Sequence, residues 1–322
     1  MAEQTILQVE HLTKLFKAGK DSVVHAVDDV SFTLHKGRTF GLVGESGCGK
    51  SSCARTIIRI YDPNSGKIIL DGQDITTLNA RQLQPVRRKM QMIFQDPYAS
   101  LNARMTVQDI VAEPLIAHHV IKSRREADEY VYPMLERVGL TREHAGRYAH
   151  EFSGGQRQRV GIARALVLKP ELVICDEPIS ALDVSIQAQV INLLRDYQQE
   201  QGISYLFIAH DLSMVRYVSD DVGVMYLGQL VETCEAEEIY QHPLHPYTQG
   251  LLSCIPVADP KVARTRENTG VEGDLPSPVH PPEGCRFHTR CPFAKPLCSE
   301  VPPSMQEVAP GHCVACHLYQ KA

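Results

Sequence analysis

The sequence predicts an α/β fold built on a mostly parallel sheet, and three observations carry that prediction. Apolar runs at Thr39 to Val43, Leu172 to Cys175, Ser204 to Ala209 and Val222 to Met225 read as buried strands, with helical stretches such as Val184 to Gln201 between them. The stretch Gly44-Glu45-Ser46-Gly47-Cys48-Gly49-Lys50-Ser51 follows the first of these strands and precedes a helix expected over 51–60, in the pattern Gly, four residues, Gly-Lys-Ser. Length agrees, since 322 residues bury a substantial core and allow about two domains.

Each element has a local reason. Thr5 to Val9 and Val30 to Leu34 alternate apolar and polar residues and predict an antiparallel edge. The glycines after Val43 let the backbone curl with its N–H groups facing an anion. Lys50 then reaches the β- and γ-phosphates of a nucleotide and the Ser51 hydroxyl joins a Mg2+ shell. The helix start, which includes Ser52, adds its positive dipole end. Lys67 to Leu70 reads as one arm of a hairpin turning at Asp71-Gly72. From about 96 to 165 the pattern is helical, at Val107 to Ala112, Ala127 to Val138 and the segment after Ser153, and predicts an inserted helical subdomain. We find no internal repeat and no long heptad pattern.

Four more short stretches carry chemistry. Leu172 to Glu177 is an apolar strand ending in two carboxylates, Asp176 suited to a Mg2+ shell and Glu177 to polarising a water. Ser153-Gly154-Gly155-Gln156 is an anion-ready turn opening a helix. Gln95 follows Met92-Ile-Phe94, and His210 follows Tyr205 to Ala209, each a polar residue at the end of an apolar run. Taken singly, each is an ordinary strand end or N-cap.

Taken together, their order and spacing from about residue 5 to 235 resemble the ATP-binding subunit of an ABC transporter. The resemblance implies that Gly44 to Ser51 is the Walker A loop, Gln95 the Q-loop glutamine, Ser153 to Gln156 the signature, and Asp176 with Glu177 the Walker B pair. It implies Ser180 to Asp183 as D-loop, His210 as switch histidine, and Phe16 as the aromatic that stacks on adenine. Gln95-Asp-Pro-Tyr-Ala-Ser-Leu-Asn102 and His242-Pro-Leu-His-Pro-Tyr-Thr248 are similar to oligopeptide, dipeptide and nickel importer ATPases. Ala103 departs from the Pro frequent in that branch. Cys48 and Cys175 replace small residues in the Walker elements, and Cys48 is expected to make the enzyme thiol-sensitive.

The composition changes after about residue 235, which divides an ATPase domain, 1–235, from a C-terminal extension, 236–322. Asp274 to Pro282 is too proline-rich for regular structure. Cys285, Cys291, Cys298, Cys313 and Cys316 are half of the chain's ten cysteines. A reducing compartment argues against disulfides, and the spacings are wider than those of most zinc sites. An iron–sulfur cluster suits four thiolates on such a segment, with zinc and metal-free thiols as alternatives. The resemblance chooses Cys285, Cys291, Cys298 and Cys316 as ligands of a [4Fe-4S] cluster and leaves Cys313 out.

Composition restricts the function further. The formal charge of −5 argues against a general nucleic-acid binder. No run approaches the ~20 apolar residues of a membrane span, and no signal peptide is recognisable. The resemblance therefore implies a peripheral motor on the cytoplasmic face of a membrane, binding ATP and Mg2+ and powering uptake of di- or oligopeptides. Its partners are a sister ATPase as the other half of a heterodimer, two membrane permeases, and an extracytoplasmic solute-binding protein reached through them. If the segment after Gln95 forms the groove that docks a permease, substitutions at Tyr98 or Leu101 are expected to uncouple ATP turnover from transport while ATP binding stays intact. Import of nickel or another solute, or a soluble role in translation or repair, are the alternatives.

Overall fold

The computed structural model describes residues 4–19, 22–180, 182–255 and 273–320. They form two compact units, one centred on Leu70–Ile208 with Leu34–Arg38, the other on Leu7–Thr33, Thr39–Ile69 and the described residues from Ala209 onward.

In the first unit, strands Met90–Ile93, Leu172–Asp176 and Ser204–Ala209 pair in parallel, Met90 opposite Leu172 and Leu172 opposite Ser204. The last two are buried along their whole length, which is why they read as unbroken apolar runs rather than alternating ones. Helices Val107–Ala117, Asp128–Arg137 and Gly154–Leu166 pack on one another as a helical insertion. Their starts follow from capping. Thr106 accepts from the Asp109 N–H, and Ser153 and Gln156 cap each other reciprocally. Helix Val184–Gln201 begins at Asp183, which accepts from the Ile186 N–H, and ends at Gly202 with φ of 69°.

The second unit pairs Thr39–Val43 in parallel with Asp221–Tyr226. Leu227 and Gly228, with φ of 42° and 83°, turn the chain into Gln229–Glu235, antiparallel to Asp221–Tyr226. Thr5–Lys17 lies between Val23–His35 and Ser65–Leu70 in another sheet. These strands extend well past the short segments expected from alternation. The helix after the glycine loop runs over Lys50–Ile57; it stops short of residue 60, with Arg59 at φ of 59°.

The C-terminal extension differs from expectation. Asp274 to Pro282 has no regular structure, but farther on the chain forms strands Gln306–Ala309 and His312–Val314. His312–Val314 adds antiparallel to Gln229–Glu235, with Val314 opposite Glu232. Three- and four-residue strands carry too short a pattern to recognise locally, because the register comes from a partner far back in the sequence. Among the described residues no helix is long and apolar enough to cross a membrane.

A candidate nucleotide site

The glycine loop is held in a conformation that only glycine permits. Gly44 and Gly49 have φ of 150° and 111°, and a Cβ on Gly49 would stand 2.0 Å from the Ala26 carbonyl oxygen. Lys50, at 4% exposure, donates through Nζ to the carbonyls of Gly44 and Glu45 at 2.7 and 2.8 Å. Reaching a phosphate therefore exchanges these two bonds for charge-assisted ones. Ser51 and Ser52 occupy the first turn of the following helix, the end that favours anions. Ser46 and Gly47 form the exposed crest of the loop.

Cys48 corrects an expectation. Its side chain is buried, and burial raises the thiol pKa more than the nearby Lys50 lowers it. A protonated, enclosed thiol reacts slowly, which argues against thiol-sensitivity through this residue. Burial raises Cys175 likewise.

In the first unit the structure brings Gln95 and Glu177 together. Gln95 Nε2 donates to Glu177 Oε2 at 2.8 Å, although 82 residues separate them in the chain. Glu177 adopts φ of 45°, an unusual value for a side chain of this size. Its N–H donates to the Ile208 carbonyl at 3.0 Å and its own carbonyl accepts from the Ser180 N–H and hydroxyl. Three anchors thus aim the carboxylate. Asp176, immediately before it, is fully buried at the end of its strand.

Ser153, Gly154, Gly155 and Gln156 line a surface cavity of about 800 Å³ together with Leu182 and Asp183. Ala181 of the expected D-loop lies outside the described residues. Tyr98 is 60% exposed, with the Arg157 guanidinium 4.0 Å from its ring centre. Leu101 is 6% exposed. It packs inside, whereas Tyr98 stands open to a partner.

In the second unit Phe16 is half-buried and meets the Tyr61 ring edge-on at 5.0 Å, with Lys14 Nζ 5.0 Å from its centre. His210 stands exposed just past Ser204–Ala209.

The five tail cysteines divide. Cys285 lies beside Cys298, whose carbonyl accepts its N–H at 2.7 Å. Burial raises the Cys285 thiol to about 11, and Cys298, Cys316 and Cys291 add to that rise. Burial also raises Cys316, with Cys291 and Cys298 contributing. Cys313 stands apart: burial and then Glu307 raise it, while Thr233 lowers it by a hydrogen bond. Among the described residues no group of three or more His, Cys, Asp or Glu side chains is arranged to hold a metal ion.

Comparison with known proteins agrees with this geometry. Residues 27–180 match the family described as ABC transporter, and residues 231–298 that described as Oligopeptide/dipeptide transporter, C-terminal region. The oligopeptide transport ATP-binding protein AppF of Bacillus subtilis (strain 168) is 56% identical over 98% of this chain and 98% of its own. The chain belongs to the ATP-binding proteins of ABC transporters. OppF of the same organism is 57% identical over 82% of this ABC ATPase and 86% of its own length. Among solved structures, the dimeric post-hydrolysis state of the ATP-binding cassette MJ0796, bound to ADP and Pi, superposes with a TM-score of 0.67. It is 26% identical and covers 72% of this chain and 99% of its own. The fold is that of an ABC ATPase, ATP is the ligand, and its hydrolysis is the chemistry.

Sequence reasoning missed several residues of this ABC ATPase. The Tyr247 hydroxyl accepts from the Glu45 N–H at 2.9 Å. Arg290 forks onto both Glu45 carboxylate oxygens at 2.8 and 2.9 Å, and Arg286 pairs with Asp28. Phe287 is packed between Tyr226 and Tyr247, ring centres 5.3 and 5.4 Å away. The only signal in the sequence is that Tyr247 belongs to the His242 to Thr248 stretch.

Proposed function

We propose that this chain is the ATP-hydrolysing subunit of an importer of di- or oligopeptides, acting as one of two ATPase subunits on the cytoplasmic face of a membrane. Its full-length similarity to oligopeptide transport ATP-binding proteins carries the reading. The signature supports the pairing: Ser153 to Gln156 open onto a surface cavity, available to the nucleotide of a second subunit. In this reading Lys50, Ser51 and Asp176 hold ATP and Mg2+, Gln95 joins the Mg2+ shell, and Phe16 stacks on adenine. Glu177 polarises the attacking water and His210 steadies the γ-phosphate. Residues 1–235 form the ATPase domain and 236–322 the extension, and the partner ATPase is a sister chain.

The test is purification of tagged full-length protein from membranes. The expected result is recovery of two polytopic permeases and a second ATPase, with turnover stimulated by a peptide-loaded binding protein. Stimulation by nickel or another solute moves the cargo assignment. Recovery with ribosomes or DNA instead removes the transporter reading.

For the tail we propose that Cys285, Cys291, Cys298 and Cys316 ligate a [4Fe-4S] cluster. The support is the spacing of these cysteines and the backbone contact of Cys285 with Cys298; among the described residues the thiols are not gathered as a metal-holding group. Such a cluster, when bound, supplies a covalent cross-link to a segment that has few apolar residues for a core of its own. Protein purified without oxygen is expected to be brown and to carry iron and acid-labile sulfide in similar amounts. Serine at any of the four positions bleaches it, whereas Cys313→Ser does not. Colourless protein with stoichiometric zinc transfers the four positions to zinc, and metal-free protein ends the cluster assignment.

A further inference from the structure

We propose that Arg290 and Tyr247 are positioning residues of the nucleotide site, so that the C-terminal extension holds the phosphate-binding loop in shape. Glu45, one residue into that loop, is gripped from three directions. Its N–H donates to Tyr247, its carbonyl accepts from Lys50, and its carboxylate takes the Arg290 fork. The Arg290 side chain is only 6% exposed, and the guanidinium also lies within 3.5 Å of the Tyr226 hydroxyl. Tyr226 and Tyr247 meet at 4.7 Å between ring centres. The fork therefore rises from a packed aromatic floor, which fixes its direction.

The loop's own chemistry makes this support matter. When Lys50 turns to a phosphate it releases the carbonyls of Gly44 and Glu45. The grips of Arg290 and Tyr247 do not involve Lys50 and persist. Arg290 also neutralises a carboxylate located in a loop that must accept a triphosphate. Freed from its partner, the Glu45 charge repels the ligand that the loop exists to bind.

This rests on ATP being the loop's ligand, and the experiment separates the two claims. Affinity of the full-length chain for MgATP is measured by titration calorimetry, with thermal melting followed in parallel. Arg290→Ala is expected to weaken binding about tenfold, a coupling of the size seen between groups in direct contact. Arg290→Lys, which keeps charge but loses the planar fork, weakens it about threefold. Glu45→Gln removes the charge and weakens binding less than Arg290→Ala does. The combination Glu45→Gln with Arg290→Ala recovers most of what Arg290→Ala loses, because no unpaired carboxylate remains. A scaffold role alone predicts no such recovery. Tyr247→Phe weakens binding by about threefold, through one lost acceptor for the Glu45 N–H. An Arg290→Ala chain that binds MgATP like the parent, or a double variant no better than Arg290→Ala, overturns the proposal. If Arg290→Ala does not fold, unchanged affinity in Arg290→Lys and Tyr247→Phe overturns it equally. A parent chain that fails to bind MgATP counts against ATP as ligand instead.

Discussion

Glu177→Gln is expected to lower steady-state ATP turnover in the assembled transporter by about 10²-fold or more, the usual contribution of a positioned general base. The substitution preserves shape. Gln95 Nε2 now donates to an amide oxygen in place of Oε2, and the backbone anchors to Ile208 and Ser180 are untouched. What disappears is the carboxylate proposed to polarise water. ATP binding persists, so ATP-bound closed pairs accumulate and are visible by size-exclusion chromatography with labelled nucleotide. Lys50→Ala gives the opposite pattern, with nucleotide affinity itself lost. Parent-like turnover in the Glu177→Gln complex would assign hydrolysis to the partner subunit's site and end the role of Glu177 as the residue that polarises water.

The second large effect is on stability. Glu232 is completely buried, and its carboxylate accepts from the N–H groups of Leu244 and His245 at 2.7 and 2.9 Å and meets His312 Nε2 at 2.8 Å. It joins the strand Gln229–Glu235, the His242 to Thr248 stretch and the tail strand His312–Val314. Glu232→Ala strands two amides and an imidazole without water, and is expected to cost about 3–5 kcal/mol, as for other buried charged groups that lose a partner. Glu232→Gln recovers little, because its amide N–H2 faces a backbone donor where Oε1 or Oε2 had accepted. The chain has no Trp, so urea unfolding followed by far-UV circular dichroism is the suitable readout. An unchanged midpoint would show that this carboxylate does not tie the tail to the strand.

Local pattern made much of the fold legible. Thr39–Val43, Ser204–Ala209 and Val184–Gln201 appear where their apolar runs and periodicity put them, because strands buried on both faces and a capped helix imprint themselves on neighbouring residues. The phosphate loop was legible for a similar reason: its strained backbone demands glycine at fixed places. Other features left no local trace. The Arg290–Glu45 and Arg286–Asp28 pairs span 245 and 258 residues, and an arginine with a distant carboxylate has no spacing rule. Leu101 and Cys48 show the converse limit, since a motif specifies residue type but not exposure.

The fork from Arg290 to Glu45 also has a temporal meaning. A ribosome makes the chain from one end, and Glu45 of the phosphate loop leaves it 245 residues ahead of the arginine proposed to steady it. Joining ends so far apart carries a loop-closure cost that grows with the logarithm of the separation, and contacts of this kind form late in folding. A nascent chain therefore displays every nucleotide-handling motif before it possesses a settled loop. If Arg290 steadies the loop as proposed, firm ATP binding follows its synthesis, so that chains stopped short of it are poorer consumers of fuel.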